Sequence, residues 1–331
     1  MGFGLAEPEK AAPVLRQYAS NAFTTNWGVR IIRDDSRLFK PTGYHYGSVW
    51  PLFTGWASLA EYRYGNSVQG FGHIMNNLNI YRSWDLGHVQ EVLNGAIYKP
   101  SGVCSNQCWS ETMVLEPSLE GLLGLDADAG KGRLKIAPAL PAGWDSLEVR
   151  NIRIGGKFIS MKFKRNGNML SYSFVSEYKE TVSLDLAPLL PAGTQILSCK
   201  LNERELPFTI ENTSKGVILR LEFRPQGIDR INIEFRNGIS VLPLRQEPKP
   251  GYASGGLRIL DSGLSGSIYS VIAENVAGTT GEIRVWINTM LIDHIENGSL
   301  LETNGNISTI RVAFPEQGRT YSEVPVKIYL R

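Results

Sequence analysis

Cysteine is scarce. Cys104, Cys108 and Cys199 are the only three in 331 residues, an odd number that cannot pair completely and so argues against a disulfide framework. Cys104 and Cys108 are near enough in sequence to bridge locally, or with His88 to suggest a metal site, but two thiols and one His match no recognised zinc pattern. Reduced, packed thiols and no metal are the expectation. Long apolar runs are missing too: none approaches the roughly 20 residues that cross a bilayer, and the start, MGFGLAEPEK, has neither a basic n-region nor an apolar h-region. No membrane partner and no signal peptide are expected of the chain as given, and its location stays open. Nor is there an excess of one charge: 34 basic against 32 acidic residues leave +2, without a basic block to meet a polyanion. Nucleic acid is not an expected partner.

What is present is an ordinary globular composition, 42% hydrophobic and 20% charged, which excludes disordered and collagen-like classes. At 331 residues the chain exceeds the roughly 250–300 at which single cores stop growing, so two or three domains are expected. The first 125 residues hold five of the seven Trp and three of the four His, whereas strand-like alternation dominates afterwards. The expected division is a helical part over 1–130, a β-sandwich over 131–245 and, over 246–331, a second small β domain or an extension of that sandwich.

Residues 48–64, SVWPLFTGWASLAEYRY, are apolar or small nearly all round, which predicts a helix buried on every side, with Pro51 in its first turn, where the missing donor is harmless. Over 67–84, Val68, Phe71, Ile74, Met75, Leu78 and Tyr81 form one stripe, while Asn76, Asn77 and Asn79 take another face, as on an outer helix. Gly65 and Asn66 suit a tight turn between the two, giving an antiparallel hairpin. A third helix is expected over 106–123, kinked by Pro117, and a fourth within 8–18. Connections alternate between long (20–47), very short (65–66) and long (85–105), which places both long loops on one rim of an antiparallel array. Those loops carry Trp27, Arg30, Tyr44, His45 and Tyr46, and Asp85, His88, Gln90, Glu91, Asn94 and Tyr98.

Beyond 128 the period changes to two. KFISMKFKRNGNMLSYSFVS alternates on both sides of Asn166-Gly167, a hairpin signal. Further strands are expected near 181–186, 195–201, 216–223, 229–235, 267–275, 281–288 and 324–330. LPLRQEPKPGYASGG (242–256), with three Pro and three Gly, is expected to be a linker or extended connection.

The run Asn26-Trp27-Gly28-Val29-Arg30, then Gly43-Tyr44-His45-Tyr46-Gly47-Ser48-Val49-Trp50-Pro51, then Gln90-Glu91-Val92-Leu93-Asn94-Gly95 and Asn106-Gln107-Cys108-Trp109-Ser110, resembles the C-terminal catalytic region of glycogen-debranching-type amylo-α-1,6-glucosidases. The related mannosyl-oligosaccharide glucosidase-like hydrolases are similar in the same order and spacing. The segment 134–141 with Trp144 looks like their passage into a C-terminal β domain, so the resemblance covers about residues 20–160. It implies an (α/α)6-toroid glycoside hydrolase, of which this chain has helices for about two hairpins. The expected fold is therefore α+β multidomain: partial (α/α)-toroid helical hairpins followed by antiparallel β-sandwich structure.

The resemblance also implies the chemistry. Cleaving a glycosidic bond needs a protonated acid at the leaving oxygen and a carboxylate that activates water. In those families the mechanism is inverting and acts on α-glucosides or related oligosaccharides, with no cofactor. Glu91 matches the general base, with Asp85 and Glu111 as rivals; the acid would be an Asp upstream of residue 1, so the chain alone is expected to be nearly inactive. Trp27, Trp50 and Trp109 offer faces for sugar stacking but equally suit a core, and Arg30, Tyr44, His45 and Gln107 are candidate sugar contacts. Expected partners are an oligosaccharide and, to cover apolar helical surface, a missing N-terminal segment or another copy of the chain. The alternative is a carbohydrate-binding or scaffold module without turnover.

Overall fold

The computed structural model describes residues 5–178, 182–316, 318 and 320–331. Among them are four α-helices, one π-helix and 22 strands. Helices α1 (Pro8–Ala19), α2 (Pro51–Arg63), α3 (Ser67–Ile80) and α4 (Cys108–Glu116) all lie in the first part of the chain. None among the described residues is long and apolar enough to cross a membrane.

Helix α2 opens with Pro51 at its first position, and the chain leaves it through Gly65 at φ +82°, a left-handed turn that glycine adopts without strain. The antiparallel pairing of α2 with α3 is close because small residues meet there. A Cβ on Gly70 would lie 2.6 Å from the Tyr62 ring, and Ser58 Oγ donates to Gly70 O at 2.7 Å. The buried face of α3 is thus Gln69, Gly70, His73, Ile74, Asn77 and Ile80, not the apolar stripe expected from Val68 to Tyr81. Asn77 is buried because its Nδ2 bridges Pro51 O at 2.9 Å and Met113 O at 3.1 Å. Helix α2 is not buried all round either, since Trp56 is 48% exposed. Pro117 ends α4: it has no N–H to continue the ladder, and the chain goes on as a π-helix over Pro117–Leu122.

The partial (α/α)-toroid is overturned. Among the described residues only α2 and α3 form a helical hairpin; α1 lies against α2 and the strand Arg258–Ser265, and α4 packs on α2 and α3. A toroid needs consecutive hairpins, but here both long loops are folded into a compact irregular layer, and from Leu125 onward nearly every element is a strand. The molecule is mostly antiparallel β-structure in several sheets.

Two six-stranded sheets face one another across a core that includes Phe163, Tyr172 and Phe174 on one side and Leu134, Leu184 and Leu219 on the other. The hairpin Lys157–Asn166/Met169–Ser176 closes at the pair Asn166–Met169, with Gly167 at φ +55° in the turn. Strands Gln195–Leu201, Val217–Phe223 and Ile228–Arg236 occupy expected positions, as does Ser183–Leu186, although residue 181 of that expectation lies outside the described residues. A second pair of sheets, four strands each, encloses Val271, Ile283, Val285, Ile310 and Val326. It includes Ile268–Val276, Thr280–Ile287 and Tyr321–Leu330. The Pro/Gly-rich connection between the sandwiches is pinned rather than free, since Tyr98 N donates to Tyr252 O and Gly251 N to Tyr98 O, both at 2.9 Å.

Candidate functional site

The two long loops meet edge to edge. Val49 and Leu93 exchange backbone hydrogen bonds at 2.8 and 2.9 Å, and bridges Arg30–Val49 and Leu93–Pro100 extend the contact on either side. Two side chains lock the junction. Trp27, with no exposed surface, donates Nε1–H to Asn94 O at 2.9 Å. Arg30, also buried, donates Nε–H to Gly95 O and an Nη1–H to Asn21 O, both at 2.6 Å, and has Asp34 at 3.5 Å. Burial pushes the Arg30 guanidinium down, with Asp34 opposing. Both residues tie the loops together.

The approach is so close that a Cβ on Gly95 would lie 1.9 Å from Gly47 O. Gly95→Ala is therefore expected to cost at least about 1–3 kcal/mol through overpacking. Gly72→Ala, where a Cβ meets nothing within 4 Å inside α3, should gain about 0.5–1 kcal/mol. Urea unfolding of the pair checks this; equal midpoints would show that the loop junction yields freely.

Glu91 sits on this junction, 6% exposed, with its N–H donating to Cys104 O at 2.9 Å. Its Oε1 accepts the Tyr44 hydroxyl at 2.5 Å. The other oxygen, Oε2, has no hydrogen-bond partner among the described residues and is not sealed from solvent. Hydrogen bonding to Glu91, with burial and the carboxylate's charge adding, pushes the Tyr44 phenol up to about 12. Tyr44 thus stays a donor at neutral pH, holding one oxygen of the carboxylate and leaving the second open.

Tyr44 is also the hub of an aromatic cluster. Its ring lies 4.6 Å from His45 and 4.5 Å from Trp50, edge-on to both, and His45 stacks on Trp50 at 5.8 Å. Trp50 Nε1–H donates to Tyr44 O at 2.9 Å, fixing the loop to the N-terminus of α2. Along that helix Trp50 meets Phe53 at 5.4 Å, and Phe53 meets Trp56 at 5.3 Å. The row follows from helical spacing, since positions three apart share a face; the sequence reading singles out neither Phe53 nor Trp56, although the W-x-x-F-x-x-W interval is there to read.

Gln107 and Trp109 reach the site through backbone. Gln107 N donates to Val89 O at 3.0 Å, so the start of α4 runs beside the Glu91 segment, and Trp109 in its first turn is 44% exposed. Of the rival carboxylates, Glu111 pairs with His88 Nδ1 at 2.8 Å, and Asp85 is exposed. Cys104 and Cys108 are free thiols, the second of them exposed rather than packed, and Cys104 Sγ donates to Asn106 O at 3.3 Å.

A second set of buried titratable groups went unnoticed in the sequence. Glu61 in α2 has Oε2 bonded by Asn66 Nδ2 at 2.7 Å and Oε1 without a partner. Burial pushes its carboxyl up to about 8, against the pull of Asn66 and Lys215. His73 in α3 has neither ring nitrogen partnered, and burial, aided by the charge of Arg258, pushes it down to about 4.

No family model matches the chain, and no curated protein does. Some solved structures do share parts of its shape. They are glycoside hydrolases. A GH127 β-L-arabinofuranosidase from Geobacillus stearothermophilus T6 is 9% identical, with a TM-score of 0.34 over 98% of this chain and 55% of its own. An α-L-rhamnosidase from Streptomyces avermitilis, complexed with L-rhamnose, is 9% identical, with a TM-score of 0.31 over 55% of this chain and 17% of its own. A third, described as a glycoside hydrolase, is 9% identical, with a TM-score of 0.29 over 83% and 49%. This chain thus spans about half, or much less, of their lengths, and so distant a likeness carries no argument about a residue or a substrate.

Proposed function

We propose that this chain is a glycoside hydrolase region in which Glu91 serves as general base and the Tyr44–His45–Trp50 cluster forms one wall of the sugar site. The observation that carries the reading is the anchored carboxylate: one oxygen bonded to Tyr44, the other free, beside aromatic rings. A base needs an accessible oxygen within reach of water, and a pyranose needs a ring face for its CH groups. Gln107 and the exposed Trp109 are proposed to extend the wall, while buried Trp27 and Arg30 hold the loops in place. The residue-level resemblance to debranching-type glucosidases supports α-glucosides as substrates and an inverting step, in which the base activates water.

The alternative, a carbohydrate-binding module without turnover, is favoured by one observation: of the two rival carboxylates, Asp85 is exposed and Glu111 is already paired with His88. The two readings share a binding step, which is tested first. Titration with maltose and isomaltose oligosaccharides should change tryptophan fluorescence, and Trp109→Ala should weaken binding by roughly tenfold, since loss of a stacking aromatic is worth about 0.5–1.5 kcal/mol. Absence of binding to any α-glucoside would sink both readings.

A further inference from the structure

A cavity of about 560 Å³ lies away from the Tyr44 cluster, between α3, the connection 242–247 and the second pair of sheets. Its volume falls within the ~300–1,000 Å³ range of small-molecule sites. One face of α3 lines it at helical spacing, from Val68 through Gly72 to Asn79, and Arg82 follows in the turn beyond the helix.

The lining is strongly one-signed. Arg82, Arg245, Arg258 and Arg284 line it, Arg258 buried and the other three exposed, against one acidic residue, Glu247. None of the four forms an ion pair among the described residues. Arg258 is buried, its Nη groups held by Gln246 Oε1 at 2.8 Å, Asn26 Oδ1 at 2.6 Å and Ser254 Oγ at 2.8 Å, all neutral acceptors, and its Nε has no partner. Guanidinium forks match carboxylate and phosphate geometry; the buried Glu274 partly offsets Arg258, whereas the other three arginines have no carboxylate within ion-pair distance among the described residues.

The cavity is apolar and polar by turns. Trp144 and Phe71 meet edge to face at 5.5 Å in its wall, and His73 lies in the same wall with both ring nitrogens buried. A ligand suited to this lining carries an acidic group for the arginines and a ring face for the aromatic wall.

We infer that this cavity is a second ligand site, which binds a sugar bearing an acidic group, a carboxylate or a phosphate ester. The choice of a sugar rests on the reading of the Glu91 site; the anionic group is argued from the cavity alone.

Gly72 provides the test. It lines the cavity, and a Cβ there meets nothing within 4 Å, so Gly72→Leu starts from open space and sends its side chain into the cavity. Calorimetric titration of the full chain uses methyl glucuronide, glucose 6-phosphate, methyl glucoside and inorganic phosphate. At least one acidic sugar is expected to bind about tenfold more tightly than methyl glucoside, as several partly exposed ion pairs allow, and the stronger of the two identifies the acidic group. Binding should vanish in Gly72→Leu, weaken in Arg245→Gln/Arg284→Gln, and persist in Glu91→Gln. Equal binding of the neutral sugar, inorganic phosphate matching the acidic sugars, or undiminished binding in Gly72→Leu would overturn the inference. Loss in Glu91→Gln would also overturn it, by assigning the ligand to the other site. If α-glucosides fail to bind but the acidic sugar binds and is lost in Gly72→Leu, the Glu91 reading alone falls.

Discussion

Glu91→Gln is expected to lower any α-glucoside hydrolysis by this chain by about 100- to 10,000-fold, the usual worth of a positioned acid or base, while leaving the unfolding midpoint nearly unchanged. The substitution keeps the shape and an oxygen that can still accept from Tyr44, whose hydroxyl now meets Glu91 at 2.5 Å. The loops stay pinned by Arg30 on Gly95 O and Trp27 on Asn94 O. Only the negative charge goes, and with it the means of taking a proton from water. Turnover by the unaltered chain is itself expected to be weak, because a base without an opposing proton donor leaves the departing alkoxide unprotonated. Maltose, isomaltose, kojibiose, nigerose and aryl glucosides are the substrates to compare. Turnover that survives Glu91→Gln would remove Glu91 from the mechanism. Vigorous turnover that Glu91→Gln abolishes would confirm the base and place the acid within this chain, with Asp85 and Glu111 the first to replace.

Glu61 should give the stability curve an unusual slope. Its folded pKa, about 8, lies above its ordinary 4.5. Between those values the unfolded chain releases a proton that the folded chain keeps, so stability falls as pH rises, by up to about 1.4 kcal/mol per pH unit. His73 acts the other way. Its folded pKa, about 4, lies below the ordinary 6.5, so between those values the unfolded chain binds a proton that the folded chain refuses, and stability rises with pH. The two slopes oppose one another from about 4.5 to 6.5, and Glu61 acts alone from about 6.5 to 8. Urea unfolding across pH 5 to 9 should therefore show a decline above about 6.5. Glu61→Gln, which can keep the Asn66 bond, should remove that decline and expose the His73 rise below it. A decline unchanged in Glu61→Gln would show that this carboxyl titrates normally in the fold.

Local features were the most legible. Pro51, the Gly65-Asn66 turn and the Pro117 break all appear where residue chemistry puts them, because φ restriction and a missing donor act within a few residues. Alternation revealed strands that have one buried and one exposed face. Ser299–Asn304, exposed along its whole length, carries no such signal and was missed. The stripe on α3 misled for a different reason. Several of its apolar side chains line a cavity and partly exposed surface, while Gly70 and Asn77 face the tight helix contact, and periodicity cannot tell which of two occupied faces is the closer-packed.

The sequence by itself determined the alternation that builds sheets, the place of the helices and the start of α2 at Pro51, and the set of loop residues from which a candidate site could be drawn. Tertiary structure alone decided that α2 and α3 are a single hairpin and not part of a ring, that Tyr44 rather than a distant residue binds Glu91, that Trp27 and Arg30 are sealed inside, and that four arginines from the turn after α3, the connection and the second pair of sheets line one cavity. The physical reason is range. Backbone dihedrals, caps and side-chain alternation are set by neighbours within one or two turns, whereas burial, pKa and the meeting of Arg82 with Arg284 depend on which surfaces pack across some 200 residues of intervening chain.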